Sequence, residues 1–252
     1  MLPIRDLNPA RRPAIINWFL VALTAFVFFV IQPGGDVTVP DEEFLYALAA
    51  IPCEVVTGEP LSPAEINGSS CAQDDGSPVF PDKNVLFSVI ASIFFHGGVL
   101  HLVSNLWVLI IFGNNIEDAY GHLTYLGFYL LAGIAAAAAH ILLHPESTIP
   151  VVGASGSIAG VMGAYAVLHP RASVTSIIPP FYFWPFAMPA FLFLGIWFAS
   201  QFLLSGADSN IAWEAHVGGF AFGFIVSLLF RRRLRSHETS GSVQYPVGRL
   251  RR

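Results

Sequence analysis

The sequence predicts an all-α polytopic membrane protein, a six-transmembrane-helix bundle with an extended extracytoplasmic first loop. Three observations lead there. Hydrophobic residues make up 54% of the 252 and charged residues only 12%, about half of the roughly 25% usual in a soluble domain. Six apolar runs approach the roughly 20 residues of helix that a bilayer core needs. Basic residues gather in the two tails. So little charge cannot solvate a globular surface of this size, which excludes a disordered chain, a nucleic-acid-binding surface and a soluble cytosolic enzyme.

The runs follow in order. Ala14–Ile31 lacks a small-residue cleavage site and is too long for a signal core, so it reads as a retained span. Pro33–Lys83 reads as an ordered extracytoplasmic loop or short-helix segment. Val85–Phe112 is too long for one span and is interrupted by Gly97-Gly98. It divides into an outer-surface helix over Val85–Phe95 and a span from about Gly98 to Phe112. Leu123–Leu143, Val151–Leu168, Phe181–Leu204 and Ala212–Phe230 complete the six. The expected organisation is a cytoplasmic N-terminal tail at 1–13, a membrane domain at 14–231 with loop 33–97 outside, and a cytoplasmic C-terminal tail at 232–252.

Charge sets the orientation. Net charge is −5, yet ten of the twelve bases lie in the tails: Arg5, Arg11, Arg12, Arg231, Arg232, Arg233, Arg235, Arg249, Arg251 and Arg252. Basic residues flanking spans stay on the cytoplasmic side, so both termini belong there and the span count is even. From Asp36 to Asp82 there are ten carboxylates and no base, as suits a segment on the far side. Cys53 and Cys71 both lie in that acidic segment. In an oxidising compartment they are expected to pair, a bridge worth roughly 2–4 kcal/mol. Asn67-Gly68-Ser69 matches a glycosylation sequon, a weak signal outside a secretory pathway. Arginine-rich, lysine-poor tails suit a bacterial plasma membrane.

Polar side chains inside spans cost roughly 2.5–3.5 kcal/mol when charged at mid-membrane, so they are the first candidates for function. They are His101 and Asn105 in the second span, Ser155 in the fourth and His216 in the sixth. His101 and Asn105, four residues apart, share one helical face. Alone, that pair is as often a packing hydrogen bond, and a lone transmembrane serine usually bonds to its own backbone. Glycines change the estimate for Ser155. Gly153, Gly156, Gly160 and Gly163 strip the surface around it, and Gly219 and Gly223 strip a matching face beyond His216. Packing of the two faces brings Ser155 and His216 within reach of each other. The remaining histidines, His96, His122, His140, His144 and His169, lie at span ends or in the surface segment, where water or headgroups solvate them.

That set has a chemistry. A serine hydroxyl is a weak nucleophile until a neighbouring neutral imidazole takes its proton. Attack on a carbonyl makes an oxyanion, for which His101, Asn105 and the Ser155 backbone N–H are donors, each on the order of 10²–10³ in rate. Glu214 is two residues from His216, about 200° around a helix, and points elsewhere. A Ser–His dyad therefore fits better than a triad. No metal or cofactor is expected: His96 and His101 diverge by about 140° on a helix, and no HExxH is present.

Four motifs then carry a resemblance. They are His96-Gly97-Gly98-Val99-Leu100-His101-Leu102-Val103-Ser104-Asn105, Gly113-Asn114-Asn115-Ile116-Glu117-Asp118-Ala119-Tyr120-Gly121, Gly153-Ala154-Ser155-Gly156-Ser157-Ile158-Ala159-Gly160 and Ala215-His216-Val217-Gly218-Gly219-Phe220-Ala221-Phe222-Gly223. In this order, over about Phe87 to Phe230, the chain resembles the rhomboid family of intramembrane serine proteases. The resemblance implies Ser155 as nucleophile, His216 as general base, and His101 and Asn105 lining the oxyanion hole. It implies Glu117 as a structural acid that braces helices, and transmembrane protein substrates met within the lipid bilayer. Two departures stand out: no Trp-Arg pair in the first loop, and Ala159 where some members place a tyrosine against the base. The competing readings are a non-catalytic rhomboid-like protein that binds transmembrane helices, and a six-span transporter, against which the lack of inverted repeats counts.

Overall fold

The computed structural model describes residues 1–32, 42–68, 71, 76–177, 184–203 and 212–240, with backbone alone over 236–240. Helices occupy all six apolar runs. Val99–Tyr120 (α6), His122–Leu143 (α7) and Trp213–Arg235, the greater part of α10 (Trp213–Ser240), are long and apolar enough to cross a membrane. Three are shorter: α1 (Ile15–Phe26), prolonged by a π-helical turn over Val27–Ile31, α8 (Ser155–Leu168) and α9 (Ala190–Leu203). Among the described residues between α1 and α6 stand four short helices, α2 (Glu42–Leu48), α3 (Pro52–Thr57), α4 (Pro63–Gly68) and α5 (Val85–Ala91).

Several sequence boundaries move, each for a physical reason. The second span does not stop at Phe112, because the polar residues beyond it are satisfied inside the protein. Glu117 accepts the backbone N–H of Ile16 and of Asn17 at 2.9 and 2.7 Å and so caps the start of α1 from another helix. Asp118 accepts the Arg11 N–H at 2.9 Å, and the Asn115 amide donates to Asp6 at 2.6 Å. The surface helix is shorter than Val85–Phe95 and ends at Ala91 in a series of turns. At the start of the fourth run, Val151 pairs with Ala50 as an isolated bridge and Gly153 adopts φ +127°, so the helix begins only at Ser155.

The fold is not all helix. Leu2–Asp6 (β1), Ser173–Ile177 (β2) and Phe186–Pro189 (β3) form an antiparallel sheet in the order β1-β2-β3, with Leu2 opposite Ile177 and Val174 opposite Met188. A short apolar run does not distinguish strand from helix by pattern, and β3 was hidden in the run read as a span from Phe181. Pro189 closes that strand and α9 starts behind it. The N-terminal tail is thus part of the fold. At the other end α10 continues through Arg231–Arg235 to Ser240, with Leu234 buried and Arg235 donating to the Leu168 carbonyl at 3.2 Å, so no break falls at 232. Residues 181–183, Leu204, Ser69 of the sequon and 241–252 lie outside the described residues.

Two interactions order the first loop. Cys53 and Cys71 are joined by a disulfide. Lys83 reaches back to an ion pair with Glu54 whose two side chains are almost fully buried, and also donates to the Tyr46 carbonyl at 2.7 Å. Burial pushes the Glu54 carboxyl up and the Lys83 ammonium down from their ordinary pKa values, while the pairing opposes both shifts.

The membrane core is centred on α8, which packs against α10, α7 and α6. Its approach to α10 is backbone to backbone. A Cβ on Gly223 would strike the Gly160 carbonyl, and one on Gly219 the Gly156 carbonyl. Around this seam Phe112, Tyr165 and Phe193 fill the interior, with the Phe112 and Tyr165 rings edge to face at 5.0 Å.

Candidate active site

Chain direction brings the starts of α6, α8 and α10 to one end of the bundle, together with the ends of α7 and α9. Ser155 is the first residue of α8, not a mid-helix serine as the run Val151–Leu168 implies. The residue is half-buried. Its backbone N–H belongs to the first turn, whose N–H groups have no intrahelical acceptor and carry the positive end of the helix dipole.

His101 sits beside it. The His101 ring lies where a Cβ on Gly153 would be, with Cε1 2.8 Å and Nε2 3.0 Å from that point, and Ser155 Oγ is 3.7 Å from the same point. Gly153 therefore meets two demands, a left-handed backbone and the absence of a side chain under the imidazole. The Gly97 N–H donates to His101 Nδ1 at 3.3 Å. An acceptor at Nδ1 places the ring proton on Nε2, so Nε2 is the donor atom. Asn105 is buried and donates to the His101 carbonyl at 2.9 Å, which uses one of its amide's two N–H groups.

His216 lies one turn into α10. The α8–α10 seam sets its level, since Gly156 faces the Ala215 carbonyl on one side of it and Gly219 on the other. Its ring is oriented by a residue that sequence reasoning missed. Gln201, near the end of α9 and 3% exposed, offers Oε1 to His216 Nδ1 at 2.7 Å. The amide orientation follows from its other end, where Nε2 donates to the Trp197 carbonyl at 3.1 Å. An acceptor against Nδ1 puts the proton there and leaves Nε2 as the basic atom. The Trp197 ring lies 6.0 Å from the imidazole, so an aromatic from α9 flanks His216 while Ala159 of α8 is buried in the core. The signal for Gln201 was in the sequence: an amide inside an apolar run is as costly as Asn105. The hydrogen bonds of the described residues do not include one between Ser155 Oγ and His216.

Of the other histidines, His96 departs from the solvated position expected, whereas His122 and His144 keep exposed side chains at helix ends. His96 is fully buried under the start of α6. Its backbone exchanges two hydrogen bonds with the Gln32 amide, at 3.1 and 2.7 Å, and its ring meets His101 edge to face at 5.0 Å. His122 pairs with Glu117. Glu214 turns away from His216 toward His140 and His144.

A cavity of about 50 Å³ opens beside Ser155, lined by Ser92, Gly133, Ala136, Gly153, Gly156 and Ala215. This is room for water or one small side chain. The Rhomboid domain model matches residues 83–233, more than half of the sequence. The chain belongs to the rhomboid family. Helices α2–α4 of this rhomboid's first loop precede the matched segment. Among similar proteins are the RHOMBOID-like protein 12, mitochondrial, of Arabidopsis thaliana, 30% identical over 58% of this chain and 47% of its own length, and the Rhomboid protease GluP of Bacillus subtilis, 30% identical over 65% and 31%. The Rhomboid protein 1, mitochondrial, of Saccharomyces cerevisiae is 27% identical over 61% and 46%. This rhomboid thus spans at most about half the length of these relatives. The family contains serine intramembrane proteases and also inactive members. Mitochondrial relatives stand beside the bacterial one, so likeness does not assign this rhomboid to a bacterial plasma membrane.

Proposed function

We propose that this rhomboid is a serine endopeptidase that cleaves other membrane proteins in or near their transmembrane segments. The observation that carries the reading is the tautomer pattern around Ser155: His216 is held with its basic nitrogen at Nε2, and His101 with its donor at Nε2. Ser155 Oγ attacks the scissile carbonyl carbon while His216 Nε2 takes the hydroxyl proton. The carbonyl π pair moves to oxygen, which accepts hydrogen bonds from His101 Nε2–H, an Asn105 amide N–H and the Ser155 N–H. Collapse breaks the C–N bond, and the amine leaves with the proton from His216. Water then hydrolyses the Ser155 ester with His216 again as base. The Ser155–His216 hydrogen bond forms as substrate closes the site, since catalytic bonds are often long before substrate binds.

A regular helix shields its own carbonyls by internal hydrogen bonding, so the substrate is a transmembrane protein with a locally unwound segment. The cavity beside Ser155 favours a small side chain there. Six spans, with both termini on the cytoplasmic side and the site opening to the opposite side, complete the proposal.

A fluorophosphonate probe tests it without a known substrate. Detergent-purified protein should carry the adduct on Ser155 by mass spectrometry, and Ser155→Ala and His216→Ala should each abolish it. Labelling that survives His216→Ala would refute the dyad. Absence of labelling in a folded protein would favour a non-catalytic rhomboid that binds transmembrane helices.

A further inference from the structure

The end of α7 and the first turn of α10 carry a cluster that proteolysis does not use. His140 and His144 are one helical turn apart, and His144 is the C-cap just after the last residue of α7. Glu214 faces both. Its Oε2 lies 3.3 Å from His140 Nδ1 and its Oε1 2.8 Å from His144 Nε2, and ligand atoms of the three residues lie within 4.8 Å of one another. The set grades from buried to open: Glu214 is 7% exposed, the His140 side chain 14% and the His144 side chain 47%.

Two imidazoles and one carboxylate form the donor set of three-ligand zinc sites, with bonds of about 2.0–2.2 Å and a fourth position left to water. In a tetrahedron with such bonds the ligand atoms stand about 3.3–3.6 Å apart. The His140–Glu214 separation already matches. His144 faces the other carboxylate oxygen, Oε1, at 2.8 Å, and the exposed His144 ring is free to adjust by rotation about its side-chain bonds. The ligands come from two helices that no short turn connects, so an ion here would cross-link α7 to α10. Glu214 supplies one negative charge beside the two rings, and the open edge at His144 gives entry from solvent. A plain fastening of the helices, with Glu214 accepting from two ring N–H groups, is the competing account. It makes no use of a third, open edge.

We propose that His140, His144 and Glu214 form a binding site for a divalent transition-metal ion of the zinc class, which ties the end of α7 to the start of α10 two residues before His216. The proposal is independent of the proteolytic reading and is tested without any activity. Tag-free, detergent-purified full-length protein is stripped with chelator and dialysed to equilibrium against micromolar zinc, and bound metal is measured by elemental analysis. One ion per chain is expected, with a raised unfolding midpoint and two imidazole ligands in the X-ray absorption spectrum. Loss of an outer-shell partner alone weakens metal binding by about 10–100-fold, so His144→Ala and the isosteric Glu214→Gln should each weaken zinc by at least about tenfold. Ser155→Ala and His216→Ala should bind as the parent does, which separates this site from the catalytic pair. His144→Ala is at an exposed position, and its unfolding midpoint without zinc checks that it folds. Equal binding by the parent and folded His144→Ala, or binding abolished by His216→Ala, overturns the proposal.

Discussion

Gln201 shows how much of the character of the base proposed at His216 is set by one neighbour. In the interior of the bundle an imidazole has two tautomers, and only the one with its lone pair on Nε2 can accept a proton from that side. The 2.7 Å contact from Gln201 Oε1 to Nδ1 selects it. Gln201→Leu should preserve folding and lower kcat by about 10- to 100-fold, less than the 10²–10⁴ attached to a general base itself. Gln201→Glu, which keeps an acceptor at the same place, should restore turnover. The measurement is steady-state cleavage of a single-span substrate, with KM followed alongside kcat. A fall in KM-limited rate alone, or equal loss in both variants, would assign Gln201 to packing. At this scale the sequence was largely legible, since Ser155, His216, His101 and Asn105 are all polar groups at prices the membrane rarely tolerates without use. Gln201 obeyed the same rule and was overlooked because its partner lies fifteen residues on, in a different helix. The metal-ligating cluster was less visible: spacing marks His140 and His144 as one face, but only the packing of α7 on α10 supplies Glu214.

Among the elements, the α8–α10 seam is the most constrained. The glycine spacing in both segments announced a close approach, and the structure brings Gly160 and Gly223 into backbone contact. Gly223→Ala should therefore cost about 1–3 kcal/mol or more, because the obstructing atom is a carbonyl of a packed helix and cannot rotate away. Thermal unfolding in detergent should show a clear fall in midpoint, while Gly195→Ala, whose Cβ would meet nothing within 4 Å, should leave it nearly unchanged. Similar midpoints for the two would contradict the close approach. Element boundaries were the least legible feature. Hydropathy stopped the second span at Phe112 since it weighs Asn115, Glu117 and Asp118 as though they met lipid. They meet Asp6, Asn8, the first turn of α1 and the Arg11 backbone instead. Tertiary partners decide such cases, and no local pattern contains them.

For the whole molecule, orientation is the property with the simplest test. Short tags at residue 1 and after residue 252 should be cleaved by protease from the same side of a sealed vesicle, while the loop around Glu59 should be reached from the other side. Tags on opposite sides would remove the six-span arrangement and with it the placing of the site. The expectation at this level rests on the arginines and the acidic loop. It did not convey the sheet, whose strands are five, five and four residues long and whose outer two are separated by most of the bundle.

That sheet has a consequence for biosynthesis. Leu2 finds its partner in Ile177, and translation adds about 5–20 residues per second, so β1 waits roughly 10–35 s before β2 has been made. Insertion of the early helices must therefore proceed with α1 unanchored at its start, and the Glu117 cap and the β1–β2 pairing arrive afterwards. Residues made well before the bundle are among the last to be stitched into place, and a chain stalled before Ser173 would display β1 as an unpaired edge.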